Sequence, residues 1–226
     1  MKITDKIEIT QEDNMELMKR YPDKYFSIAI CDPPYGIDAA KMTMGSGKHK
    51  FIKGKSWDSN IPNEEYFKEL FRVSKNQIIW GGNYFPLPLN NNWVIWDKLN
   101  PNMSFSEAEM AWCSINNNTR IFKRLSTLPD IDGSKRHITQ KPVALYKWLL
   151  QKYANPNDKI LDTHLGSGSI AIACHDFGYE LTACELDTDY YNSAIERIKK
   201  HCSQPSLFEP GELLQPSLKF DFDHEV

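Results

Sequence analysis

The sequence predicts an α/β domain built on a doubly wound, mostly parallel sheet, and three observations carry that reading. Short apolar runs bounded by turn residues recur along the chain, as expected of strands buried on both faces. Segments with apolar residues at i, i+3 and i+4 lie between several of them, as expected of amphipathic helices. The length of 226 residues and the 41% hydrophobic content suit the core of one domain.

In chain order, strands are expected at residues 7–10, 26–31, 77–80, 93–96, 108–114, 159–162 and 180–184. Helices are expected at residues 12–19, 63–73, 141–152, 169–177 and 189–201. Alternation of this kind produces a sheet with helices packed on it. Residues 36–57 are rich in glycine and lysine and read as a mobile loop. Residues 203–226 hold three prolines and read as an extended or disordered tail, leaving residues 1–202 as the domain proper.

Charge is unevenly spread. The net charge is −3, but the tail carries −4, so the remainder is about +1. Its positive charge clusters in two places, Lys48, Lys50, Lys53 and Lys55, then Arg120, Lys123, Arg124, Lys135 and Arg136. A solvated loop explains either cluster; both together make a phosphate-facing surface a candidate. No window is apolar for long enough to span a bilayer and the first residues hold no secretory signal, so a cytoplasmic location is expected. The five cysteines form no CxxC pair and no zinc-ligand spacing, so reduced, mostly buried thiols and no metal are expected.

Two turns carry chemistry. Asp162-Thr-His164-Leu165-Gly166-Ser167-Gly168-Ser169 follows a strand and opens a helix. Its glycines let a ligand approach the backbone at a helix N-terminus. Glu185 ends the next strand, where an acid suits the two hydroxyls of a ribose. No P-loop lysine is present, so a nucleoside without phosphates fits better than a nucleotide. The second turn, Asp32-Pro33-Pro34-Tyr35, ends the strand at residues 26–31. An aromatic amine is a poor nucleophile because its lone pair is delocalised. A carboxylate accepting one N–H and a rigid proline-held carbonyl accepting the other draw the nitrogen toward tetrahedral geometry. A neighbouring aromatic ring can stack on a base drawn out of its duplex. A plain surface turn is the competing reading.

With Thr139-Gln140-Lys141-Pro142 as a third motif, the chain resembles the beta group of DNA amino-methyltransferases, in which the catalytic tetrapeptide precedes the cofactor turn. Trp80-Gly-Gly-Asn-Tyr-Phe85 and Trp96-Asp-Lys98 are further family-like pieces. The resemblance implies a circularly permuted, Rossmann-like class I methyltransferase fold, with a seven-stranded, mostly parallel sheet and helices on both faces. It implies S-adenosyl-L-methionine as cofactor and double-stranded DNA as partner. Asp32 and the Pro33 carbonyl would accept the target amine, and Tyr35 would stack on the flipped base. Asp32, Asp162, His164, Leu165, Gly166, Ser167, Gly168 and Ser169 would line the cofactor, with Glu185 on its ribose, Asp13 on its adenine and Lys141 closing over it. The cofactor turn departs from the usual Asp-Pro-Phe, and His137-Ile138-Thr139 departs from His-Pro-Thr.

Asp32 favours N6 of adenine as the target, since N4-cytosine enzymes of this group more often carry serine there. N4 of cytosine stays as the alternative, with a non-catalytic cofactor-binding subunit as another. Residues 97–136 are the expected target-recognition segment, whose sequence preference is unreadable, as is any restriction partner. In the tail, the segment from Gln204 to Phe208 resembles the short peptide by which bacterial replication proteins dock on the sliding clamp. The competing reading has Leu207 and Phe208 packing back on the domain itself.

Overall fold

The computed structural model describes residues 1–36, 61–101, 106–115, 118–130 and 140–204. The described residues form a mixed eight-stranded sheet. The strands are β1 (Ile7–Gln11), β2 (Phe26–Cys31), β3 (Ser74–Trp80), β4 (Trp93–Asp97), β5 (Ala108–Cys113), β6 (Arg120–Lys123), β7 (Lys159–Asp162) and β8 (Glu180–Glu185). Their order across the sheet is β1-β8-β7-β2-β3-β5-β4-β6. The strands from β1 to β3 in that order pair in parallel, β5 runs antiparallel to β3 and β4, and β6 pairs in parallel with β4. The chain thus enters on the strand beside β8, the last in sequence, as the permuted order predicts.

The expected seven strands are one short. The missing strand, β6, is four residues long with a basic residue at each end. Nothing in so short a charged segment distinguishes a strand from a loop; pairing with β4 at the sheet edge makes it one.

Helices α1 (Asn14–Lys19) and α2 (Glu64–Val73) cover one face, packing Leu17, Met18, Leu70 and Val73 against Ala29, Cys31 and Ile79. Helices α3 (Val143–Tyr153), α4 (Ser169–Phe177) and α5 (Thr188–Cys202) join the cluster on the other face, which includes Ile28, Ile30, Ile78 and Trp80. Alternate residues of β2 and β3 therefore serve opposite faces, the period-two geometry of a strand. Helix α2 starts where Asn63 accepts the Tyr66 N–H at 2.9 Å, and it carries Glu64 and Glu65 in its first turn, favourable to the helix dipole. Its buried residues Tyr66, Phe67, Leu70 and Val73 recur at helical spacing, each side chain worth about 1.5–3 kcal/mol of burial.

Helix α3 begins two residues later than the sequence pattern suggests. Pro142 is its N-cap residue, and a proline disfavours helical backbone in the residue before it. Lys141 is thereby excluded from the helix. Four cysteines are buried and Cys202 is partly so, all as free thiols. Among the described residues, no helix is long and apolar enough to cross a membrane.

Candidate active site

The carboxyl ends of the parallel strands gather the sequence-predicted site residues along one sheet edge. Asp32 follows β2, Asp162 ends β7, Glu185 ends β8 and Asp13 lies just past β1. Gln11 of β1 is in register with Glu185, and Asp162 is in register with Ala183. Parallel pairing is what makes these sequence-distant ends neighbours.

Asp32 sits in a cluster of charges. Its Oδ1 accepts the Tyr35 hydroxyl at 2.6 Å and its Oδ2 accepts Lys141 Nζ at 2.5 Å. Lys141 also donates to the Tyr35 oxygen at 3.1 Å and lies 3.0 Å from Glu109 Oε2. Lys98 Nζ holds Glu109 Oε1 at 2.7 Å. Burial raises the Asp32 carboxyl above its ordinary range, Lys141 opposes that rise and the Glu109 charge adds to it. Burial also acts to raise Glu109, but Lys141 and Lys98 outweigh it and bring that carboxyl down to about 2. For Lys141, burial favours the neutral amine, but Asp32 and Glu109 prevail and hold it charged. Two carboxylates and two ammonium groups balance, which is how a protein interior tolerates such charges.

Aromatic side chains wall this cluster. Tyr35 and Tyr84 stack with ring centroids 5.3 Å apart and planes 14° apart. Lys141 Nζ lies 5.1 Å from the centre of the Trp80 ring, within cation–π range. Gly81 has φ +68, and a Cβ there would fall 2.2 Å from Tyr35 Cε1. The left-handed turn after β3 thus brings bare backbone against the tyrosine ring.

The glycine turn splits into two functions. Gly168, φ +78, is needed for packing, because a Cβ there would meet Ile198 Cδ1 at 2.8 Å. Gly166, φ +53, faces open space, where an added Cβ would have nothing nearer than the His164 carbonyl oxygen at 3.9 Å. Glu185 Oε2 accepts the Gly166 N–H at 2.9 Å and Oε1 accepts the Asp187 N–H at 3.0 Å. A carboxylate has about four acceptor sites, so it retains capacity for a further donor. Open backbone beside an acceptor carboxylate fits the ribose of an S-adenosylmethionine.

His164 is held among side chains. Its Nε2 lies 3.2 Å from Asn14 Nδ2 and its Nδ1 lies 2.9 Å from Thr163 Oγ1. An amide nitrogen can only donate, so Nε2 accepts and Nδ1 carries the hydrogen. Burial brings this imidazole down to about 4, which keeps it neutral. Asp162 accepts the His164 backbone N–H at 2.9 Å, and burial raises its carboxyl to about 8. Asp13 caps α1, accepting the Met15 N–H at 2.8 Å.

The expected recognition segment reaches the cofactor turn through Asp130. Its carboxylate accepts the Val143 N–H at 3.0 Å, Gln140 Nε2 at 3.1 Å and Arg197 Nη2 at 2.7 Å. Arg197 Nη1 in turn donates to the Ser167 carbonyl and to Ser169 Oγ, both at 3.0 Å. The motifs do not reveal Glu109, Asp130 or Arg197, and they contain Lys98 without giving it a role. The available signals were an acid inside the apolar run of β5 and an arginine among the apolar positions of α5.

Of the basic candidates, Arg120 and Lys123 are exposed on β6. Arg124 donates to the Pro129 carbonyl at 2.9 Å and its own carbonyl accepts the Trp96 indole at 3.0 Å, so it also shapes the turn after β6. Lys48, Lys50, Lys53, Lys55, Lys135, Arg136, Leu207 and Phe208 lie outside the described residues.

Residues 93–196 match a family described as DNA methylase. Type II methyltransferase M.HinfI of Haemophilus influenzae is 24% identical over an alignment spanning 89% of this chain and 70% of that protein. Among solved structures, M1.HpyAVI complexed with SAM superposes with a TM-score of 0.56 at 20% identity, over 84% of this chain and 98% of that one. PvuII DNA methyltransferase, cytosine-N4-specific, gives 0.55 at 12% identity, over 86% of this chain and 90% of that one. At such identities the superpositions speak for the fold. The DNA methylase match over residues 93–196 and the M.HinfI likeness along most of the chain agree with the resemblance that the motif order carries, to the beta-group DNA amino-methyltransferases that use S-adenosylmethionine.

Proposed function

We propose that the protein methylates N6 of adenine in double-stranded DNA by direct in-line transfer to a flipped base. The observation that carries this reading is the Asp32 carboxylate, set beside the Tyr35–Tyr84 stack on the sheet edge that also bears the Gly166–Glu185 contact. S-adenosylmethionine, when bound, supplies a methyl group activated on a sulfonium. The chain's own contribution is orientation and hydrogen bonding. Asp32 accepts one N–H of the amine and the Pro33 carbonyl accepts the other, while Tyr35 stacks on the base. Pro34 stiffens the turn, and Glu185 with the backbone from Asp162 to Ser169 holds the cofactor. Holding donor and acceptor in line is the main source of rate in such a transfer, so no enzyme nucleophile is required.

Arg120 and Lys123 on the β6 edge, together with the lysines of residues 48–55, Lys135 and Arg136, supply phosphate contacts in this reading. Docking of residues 204–208 on a sliding clamp belongs to the same proposal as a separate tether. Modified-base sequencing of DNA from a methylation-deficient host expressing the chain tests the function. N6-methyladenine at a fixed motif is expected. N4-methylcytosine instead selects the second reading, which the likeness to a cytosine-N4-specific enzyme keeps in view. Absence of any modified base overturns both.

A further inference from the structure

The charge cluster raises a problem that the proposed chemistry must solve. Both oxygens of Asp32 are engaged, Oδ1 by Tyr35 and Oδ2 by Lys141. Each oxygen has a second acceptor site, but an amine lining up on Oδ2 competes with Lys141 for that oxygen. Lys141 is 3% exposed, so its ammonium cannot turn to water when it lets go. A buried ammonium stripped of its counterion costs several kcal/mol, enough to suppress entry of the amine. Glu109 answers this. Its Oε2 is already 3.0 Å from Lys141 Nζ, is shut off from solvent and has no other hydrogen-bond partner among the described residues. That oxygen therefore holds accepting capacity in reserve. Its partner Oε1 is anchored by Lys98 at 2.7 Å, so the carboxylate is fixed in place, and the Trp80 ring keeps the ammonium on this side.

We propose that Glu109, anchored by Lys98, is a positioning residue that takes over the Lys141 ammonium when the target amine reaches Asp32, freeing Oδ2 to accept it. The inference rests on the assignment of Asp32 to the amine. In it, Lys141 stays charged throughout and moves by a rotation of its end group between two carboxylates. Glu109 touches neither substrate nor cofactor and acts through Lys141.

The test is steady-state transfer from radiolabelled S-adenosylmethionine to unmethylated genomic DNA, with cofactor affinity and thermal midpoint measured alongside. Glu109→Gln is expected to lower kcat by about tenfold or more, the scale of one charge-assisted hydrogen bond, while cofactor affinity stays within about twofold of wild type. Glu109→Asp is expected to restore part of the loss. Because Glu109 acts through Lys141, the double variant Glu109→Gln/Lys141→Met is expected to be no slower than Lys141→Met alone. Turnover of Glu109→Gln within about twofold of wild type overturns the inference, as do losses that multiply in the double variant. If Glu109→Gln does not fold, Lys98→Met releases the same carboxylate and is read by the same split between kcat and cofactor affinity. An active Asp32→Ala overturns the underlying assignment and this inference together. An inactive Asp32→Ala with a normal Glu109→Gln overturns this inference alone.

Discussion

Lys141 Nζ lies 2.5 Å from Asp32 Oδ2, across 109 residues of chain. Two motifs that are separate in sequence thus form one ion pair at the mouth of the sheet. The pair gives Asp32 a counterion before any substrate arrives, which makes a buried carboxylate tolerable there. In the proposed reading, an amine accepted at Oδ2 competes with Lys141 for that oxygen, and such an exchange contributes far less net free energy than a new bond.

Asp32→Ala is expected to abolish methyl transfer while retaining cofactor binding, because the carboxylate faces Lys141 and Tyr35 rather than the Gly166 turn. Transfer assays on unmethylated DNA, paired with calorimetric titration of S-adenosylmethionine, separate the two properties. Near-normal turnover in the variant rules out the assigned role.

Glu185→Ala is expected to do the reverse. Its carboxylate braces Gly166 and Asp187 and, in the proposed reading, offers the acceptor for the ribose. Loss of a hydrogen bond to a charged group, about 1.5–3 kcal/mol, raises the cofactor dissociation constant roughly tenfold or more. Unchanged affinity in the titration means that the ribose binds elsewhere.

Gly81→Ala probes the tyrosine. A Cβ at this position meets Tyr35 Cε1 at 2.2 Å, and a left-handed alanine costs about 1–2 kcal/mol on its own. The ring must move off its stack with Tyr84. The expected result is a lower thermal midpoint and a loss in kcat/KM for DNA larger than the loss in cofactor affinity. Equal losses in both indicate a purely structural effect.

Asp162 makes stability depend on pH in an unusual direction. Burial raises its folded carboxyl to about 8, while an unfolded aspartate titrates near about 3.9. The folded state holds the extra proton between these values. Its contribution is full below the unfolded value and is lost as pH rises through the folded one. Asp162→Asn keeps an oxygen for the His164 N–H and removes the titration. Its thermal midpoint, measured without cofactor, is expected to fall less than that of wild type as pH rises from about 5 to about 9. Parallel curves for the two proteins refute this.

Replacing Arg120 and Lys123 by glutamine, and separately Lys48, Lys50, Lys53 and Lys55, is expected to weaken DNA binding on every sequence alike. The slope of log affinity against log salt falls by about 0.9 for each phosphate that the variant no longer neutralises. Fluorescence anisotropy at several salt concentrations measures it. An unchanged slope removes that cluster from the interface.

The core strands and the two chemical turns were legible because each is a local pattern. β2 is a six-residue run bounded by turn residues, and Asp-Pro-Pro-Tyr and the glycine turn are contiguous. The α/β class was legible for the same reason, apart from β6, a strand only because β4 pairs with it, while the permuted strand order followed from the family resemblance. Local pattern could not separate Gly166 from Gly168, since the distinction is whether Ile198 of α5 lies against the glycine. It could not show that Asp13 serves as the helix cap of α1 either. The Glu109–Lys98 and Asp130–Arg197 pairs were decided by tertiary structure alone. In sequence, a lone acid or arginine looks like a solvated surface residue. Whether it is one depends on burial, and burial is set by which segments the sheet order brings together. The sequence determined which chemical groups are present and on which strand ends they stand; the packing determined which of those charges lost water and had to find each other.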